Sequence, residues 1–249
     1  TADHAIAALK SSAVRTVIIS ARRGPEHAAF TSPELRELPK LGHTNVIIEK
    51  NDIDAAIKRA GDDIEKDVKS NLDAMALIAE QVPAGHERTM KFQFLATPKE
   101  IRGAGKVQEI VFTKTGTDEE FSIPCGLVIT AIGYEAAPLA GIPYERGKVL
   151  NIDGRVTENL YVVGWAKRGP SGVIGTNKSD AADVMRLLVE DLKDPKDSGD
   201  ITELLGDGVV VTQSHWEAIN AAEVAAGEQK GKPRVKSSDK TVLLSQAGF

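Results

Sequence analysis

Residues 160–192, LYVVGWAKRGPSGVIGTNKSDAADVMRLLVEDL, run from a β-branched segment through a glycine-rich turn into an amphipathic helix. The pattern predicts a short strand over 160–164, a loop carrying Gly164, Gly169, Gly172 and Gly175, and a helix from about Thr176 with Val184, Leu187 and Leu188 on one face. Glycines let backbone approach a ligand closely, and a helix start presents N–H groups without intrahelical partners. Such a turn suits a flat or anionic ligand and belongs to an α/β fold. Its amides are suited to the carbonyls and ring nitrogens of a flavin, and Trp165 could lie against such a ring system or simply pack in the core.

Composition agrees with that fold class. The chain has 249 residues, 41% of them hydrophobic and only 4% aromatic, so its core must be built from Ala, Val, Ile and Leu. These are the usual material of parallel strands covered by helices. A net charge of −5 gives no reason to expect nucleic acid or an anionic membrane as the main partner. The sole cysteine, Cys125, rules out an internal disulfide, a CxxC pair or a cysteine-ligated iron–sulfur cluster, so redox chemistry would need a bound organic cofactor. Its bland role is a small buried residue in a strand. No apolar run approaches a membrane span and no signal peptide is visible, which makes a cytoplasmic setting the expectation.

The opening TADHAIAALKSSAVRTVIIS reads as a helix followed by a strand over 14–20, the second half of a βαβ unit. No GxGxxG occurs, and RGAGK at 102–106 and GDGVV at 206–210 lack its spacing. The first strand and phosphate-binding turn of that unit are therefore expected upstream of Thr1. The loop after strand 14–20 is where a dinucleotide fold reads the adenine ribose. A carboxylate there would favour NAD, whereas Arg22 and Arg23 offer two guanidiniums suited to a 2′-phosphate, and hence to NADP.

Downstream, FTSPELRELPKL suggests a helix with Ser32 as N-cap and Pro33 at its first position, Glu34 and Glu37 favouring the positive helix end. A strand over 45–49 and one long helix from Asp52 to about Gln81 follow, with Leu72, Met75, Ala76 and Ala79 facing a sheet. From His86 the segments RTMKFQFLATPKEIRG, KVQEIVFTKTGTD and EEFSIPCGLVITAIGY alternate like an antiparallel meander, ending in a buried strand over 126–132. The Gly133–Tyr134 turn and the Pro- and Gly-containing stretch after it suggest a boundary near residue 133.

YVVGWAKRGPSGVIGTNK, with ARRGP followed by ELREL, the AIGY strand end and SHWEAINAAEVAAGEQKGKPRVK, resembles the adrenodoxin reductase family of FAD-containing ferredoxin–NADP reductases, in particular its actinobacterial members. The resemblance covers the whole chain. It implies two dinucleotide-binding, Rossmann-like domains of a flavoprotein reductase, both incomplete here, with a β-meander between them. Residues 1–132 would be the NADP-binding domain and 133–249 the C-terminal part of the FAD-binding domain. Such enzymes pass hydride from NADPH to FAD and then single electrons to a ferredoxin.

The resemblance further implies that Arg22 and Arg23 bind the 2′-phosphate and Glu34 contacts NADP. Glu37 would lie near nicotinamide and flavin as a candidate for positioning or proton handling, since hydride transfer needs no strong base. Trp165 and the Gly172, Val173 and Ile174 backbone would bind FAD, with Gly172 also near the nicotinamide. The family's FAD fingerprint is expected in a missing N-terminal portion of the same polypeptide. Two other classes stay open: another two-dinucleotide flavoprotein, such as a glutamate synthase small subunit or a thioredoxin-reductase-like enzyme, and a non-catalytic nucleotide-binding module. A thioredoxin-reductase-like enzyme needs a dithiol that Cys125 cannot supply.

Overall fold

The computed structural model describes residues 1–172, 174–192, 199, 203, 205, 206 and 208–249. They form two compact units, Thr1–Val128 with Gln213–Phe249, and Ile129–Thr212.

The first unit opens with α1 (Asp3–Lys10), β1 (Thr16–Ser20), α2 (Ser32–Glu37), β2 (Thr44–Ile47), α3 (Lys50–Ala60), α4 (Lys66–Ala79) and β3 (Arg88–Gln93). The three strands make a parallel sheet in the order β1-β3-β2, with Thr16 opposite Thr89 and Thr44 opposite Arg88. Parallel neighbours need crossovers, and the helices supply them while burying the sheet. Leu35 of α2, Ile53 and Ala56 of α3, and Leu72, Met75 and Ile78 of α4 close over Val46 and Phe92 in one continuous core.

Three expectations change here. The single helix over 52–81 is two helices, because Gly61 takes φ +71° and ends α3, and α4 starts only at Lys66. The N-cap of α2 is Thr31, with extended backbone, while Ser32 is already helical and gives its hydroxyl to the Ser70 carbonyl at 3.3 Å. RTMKFQ is the parallel central strand β3 and not the first strand of the meander, since side-chain alternation does not report the direction of the partner strand.

The meander itself is β4 (Ala96–Arg102), β5 (Glu109–Lys114) and β6 (Glu120–Pro124), antiparallel, with a register shift between Pro98 and Glu100. Val111 and Phe112 are buried in it, and Phe112 stacks on Phe121 at 5.5 Å. Cys125 follows β6 and is half-buried, outside any strand. The buried strand expected over 126–132 does not form: Leu127, Ile129 and Ile132 are 68%, 78% and 91% exposed. A strand buried on both faces needs ladder partners, and this stretch pairs with no strand among the described residues.

In the second unit lie the hairpin β7 (Tyr144–Glu145) and β8 (Lys148–Val149), then β9 (Arg155–Thr157) with β10 (Leu160–Tyr161), α5 (Gly164–Arg168) and α6 (Ile174–Asp191). The strand expected over 160–164 is shortened to β10, because Gly164–Arg168 coils into α5. Helix α6 begins two residues earlier than Thr176 and buries Val184 as its periodicity predicts.

The chain ends in α7 (Gln213–Glu228) and α8 (Lys240–Ala247), which group with the first unit. Lys232 Nζ reaches Asp3 of α1 at 2.9 Å, and Asp239 caps α8 by accepting from the Val242 N–H at 3.0 Å. Among the described residues no helix is long and apolar enough to cross a membrane, and no group of three His, Cys, Asp or Glu is placed to hold a metal ion.

Candidate functional site

In a parallel sheet the turns beyond the carboxyl ends of the strands face the ligand crevice, and the Arg22–Arg23 turn leaves β1 at that end. Both arginines are exposed, and among the described residues neither has an ion-pair partner. This is a polar, cationic turn with its charge unspent. Below it, Arg59 of α3 makes a two-pronged pair with Glu26, Nε to Oε1 at 2.6 Å and Nη2 to Oε2 at 3.0 Å. Burial is the largest single influence on the Glu26 carboxyl and pushes it up, but the Arg59 hydrogen bond, a backbone hydrogen bond and the nearby positive charge together outweigh it, and the net direction is down. A side chain at Gly24 would meet that pair, its Cβ falling 2.3 Å from Glu26 Oε2, so glycine lets the turn lie over it.

Helix α2 carries the two glutamates. Glu34 closes a capping box, its Oε2 accepting from the Thr31 hydroxyl at 2.7 Å and the Thr31 N–H at 3.3 Å. Those two bonds lower the Glu34 pKa. Its carboxylate is exposed and serves its own helix. Glu37, at the end of α2, pairs with Lys40 at 2.5 Å and is 68% exposed.

The second unit contains the glycine-rich turn. Trp165 sits in the first turn of α5, 44% exposed, its ring 5.7 Å from that of Tyr134 at 32°. This pair was not expected; the AIGY ending was the only trace of it. Asp180 of α6, likewise unforeseen, accepts from the Gly164 N–H at 2.6 Å and from Lys167 Nζ at 2.8 Å. Arg168 reaches the Ser171 carbonyl, the Ser171 hydroxyl and the Asn177 side chain, while among the described residues its buried Nε has no hydrogen-bond partner. The two basic residues of the turn thus staple α5 to α6. Gly172 has φ +81°, and a Cβ there would fall 2.7 Å from Thr176, so no other residue fits. Val173 lies outside the described residues, and Ile174 opens α6, whose first amides lack intrahelical acceptors.

Arg22, Arg23, Glu34 and Glu37 therefore share the first unit, and Trp165, Gly172 and Ile174 the second.

The Asp180 carboxyl lies below its ordinary pKa because of the Lys167 hydrogen bond, with burial opposing and the Gly164 N–H assisting. A depressed carboxyl contributes stability that is complete above its unfolded value of about 3.9 and fades as pH falls through the folded one. Asp180→Asn should therefore be less stable than the parent at neutral pH, the gap narrowing below about pH 4. Urea melts at a series of pH values measure this; a gap independent of pH would contradict it.

No family model matches the chain. Among solved structures, the chain superposes over its whole length on Mycobacterium tuberculosis FprA in complex with NADPH, with a TM-score of 0.87 and 36% identity, covering 61% of that chain. Its homologues are NADPH-ferredoxin reductases. The NADPH-ferredoxin reductase FprA of M. tuberculosis is 36% identical over 98% of this chain and 60% of its own length. A probable ferredoxin/ferredoxin–NADP reductase of Mycobacterium bovis is 33% identical over 99% of this chain and 46% of its own length. The mitochondrial NADPH:adrenodoxin oxidoreductase of Arabidopsis thaliana is 31% identical over 99% of this chain and 60% of its own length. These similarities agree with the resemblance to adrenodoxin reductase read from the motifs, and the α/β fold class holds. The chain spans about 60% of the length of FprA.

Proposed function

We propose that this chain is part of an FAD-dependent NADPH–ferredoxin reductase, with residues 1–132 serving NADP and 133–249 contributing to the flavin site. The observation that carries the reading is the exposed Arg22–Arg23 turn at the carboxyl end of β1, without an ion pair among the described residues, in a chain superposable on an NADPH-bound reductase. Arg22 and Arg23 would grip the 2′-phosphate. Glu34, already bonded to Thr31, would contact NADP from the start of α2. In the second unit Trp165, Gly172, Val173 and Ile174 would hold the flavin, the indole offering a flat partly exposed face and Gly172 close backbone approach.

When bound, flavin would accept hydride from NADPH and release single electrons to the iron–sulfur centre of a ferredoxin. The chain's own work is to orient the reactants and exclude water. Glu37 would position the nicotinamide or handle a proton. Changing Glu37→Gln should alter NADPH affinity or the rate of NADPH-driven reduction about tenfold, the scale of one charge-assisted hydrogen bond, with flavin content unchanged. Parallel loss of bound flavin would remove that role.

A cytoplasmic location and a ferredoxin as acceptor belong to the same reading. Its test is the visible spectrum and reduction kinetics of the protein that contains this chain. It should be yellow, be bleached anaerobically by NADPH in preference to NADH, and then reduce a ferredoxin. A colourless protein favours a binding module, and equal use of NADH removes the assignment of Arg22 and Arg23.

A further inference from the structure

The backbone of the arginine turn is held by the meander through three consecutive carbonyls. Ala21 O accepts from the Ala96 N–H at 3.0 Å, Arg22 O from the Thr115 hydroxyl at 2.6 Å, and Arg23 O from the Leu95 N–H at 3.3 Å. Leu95 itself takes φ +55°, a conformation uncommon for a side chain of this kind, and its carbonyl accepts from the Thr115 N–H at 2.8 Å. The Thr97 and Thr115 hydroxyls are 2.8 Å apart. Because Thr115 spends its proton on Arg22, Thr97 must donate to Thr115, which gives a directed relay from Thr97 through Thr115 to the Arg22 carbonyl. From below, the Glu26–Arg59 pair fills the space that a side chain at position 24 would occupy.

We infer that Thr115, with its donor Thr97 and the Glu26–Arg59 pair beneath, positions the Arg22–Arg23 turn for a 2′-phosphate and so sets preference for 2′-phosphorylated nucleotides without touching them. This rests on the assignment of that turn to NADP. Two exposed guanidiniums on a free loop would have to be ordered by the ligand at an entropic cost; on a turn whose carbonyls are already bonded they leave fixed Cα positions, and that ordering has happened on folding. Loss of the Thr115 hydroxyl leaves the Arg22 carbonyl to water and loosens one arm of the phosphate grip, while the rest of the nucleotide site is unaffected.

The experiment is calorimetric titration of the protein that contains this chain with 2′,5′-ADP and with 5′-ADP at fixed ionic strength. Thr115→Val should weaken 2′,5′-ADP about three- to tenfold, the effect of one hydrogen bond, and leave 5′-ADP within about twofold. Thr115→Ser, which keeps the hydroxyl, should restore the parent ratio. Arg59→Met, acting from the other side of the turn, should shift the ratio in the same direction. An unchanged ratio in Thr115→Val, or equal weakening of both nucleotides, overturns the positioning role. If the parent chain itself does not prefer 2′,5′-ADP, the NADP assignment fails and this inference with it; the parent titration thus separates that failure from failure of the relay alone.

Discussion

Alanine at both Arg22 and Arg23 should weaken NADP⁺ binding by a hundredfold or more while leaving NAD⁺ within about threefold. Each charge-assisted hydrogen bond to a phosphate is worth about 1.5–3 kcal/mol, so two of them together exceed the 2.7 kcal/mol or so that a hundredfold requires. The turn is exposed, and salt will screen part of this, so the comparison belongs at one ionic strength near 0.1 M. The effect should be large because, among the described residues, neither guanidinium has an ion pair to fall back on. The chain as a whole is acidic, at −5, so the positive potential that attracts the phosphate is local to these two residues. Calorimetry with both nucleotides measures it. Equal losses for NADP⁺ and NAD⁺ would mean that the arginines support the fold or the pyrophosphate and do not read the 2′ position.

Phe92→Ala should destabilise the first unit by about 3–5 kcal/mol, a large fraction of the 5–15 kcal/mol typical of a domain. Phe92 is 1% exposed on the central strand β3. Its ring lies edge-on to Phe30 at 5.7 Å and stacks on Phe94 at 6.1 Å, so truncation opens a cavity and strips two aromatic neighbours. Phe30 precedes the cap of α2, and its carbonyl takes the Asn71 amide at 2.5 Å, so the damage reaches the segment that joins the arginine turn to α2. Phe92→Leu, filling most of the volume, should cost less than half as much. Urea denaturation followed by circular dichroism gives both values. A loss below 1 kcal/mol for alanine would show that the sheet closes over the gap.

Much of this was legible along the chain. VRTVIIS and NVIIE announced β1 and β2 within two residues, and the spacing of Leu72 and Met75 announced the buried face of α4. The ARRGP turn was placed correctly after a strand, and its charge could be read without any contact being known. The errors have physical causes. Thr31 and Ser32 are both good N-caps, and the local signal that separates them is the capping-box spacing, which puts Glu34 three residues after Thr31 but Leu35 three after Ser32. Apolar positions at helical spacing continue beyond Gly61, so periodicity alone does not mark the break there. LVIT at 127–130 has the composition of a buried strand, but composition cannot supply the neighbours that would bury it.

Linear order thus specifies what depends on a few successive residues: periodicity, the glycine at 172 that its backbone angle and Thr176 demand, and the cationic turn after β1. It does not specify which distant groups meet. That Thr115 bonds the carbonyl of Arg22, that Glu26 is gripped by Arg59, that Asp180 ties down Gly164, and that Tyr134 lies on Trp165 came only with the folded chain. Local preferences act through torsions and neighbours within a turn or two, and therefore leave a mark on the sequence. Long-range bonds exist only once loops have closed and sheets have registered, and a threonine that will hold a carbonyl across the fold is written no differently from one that will face water.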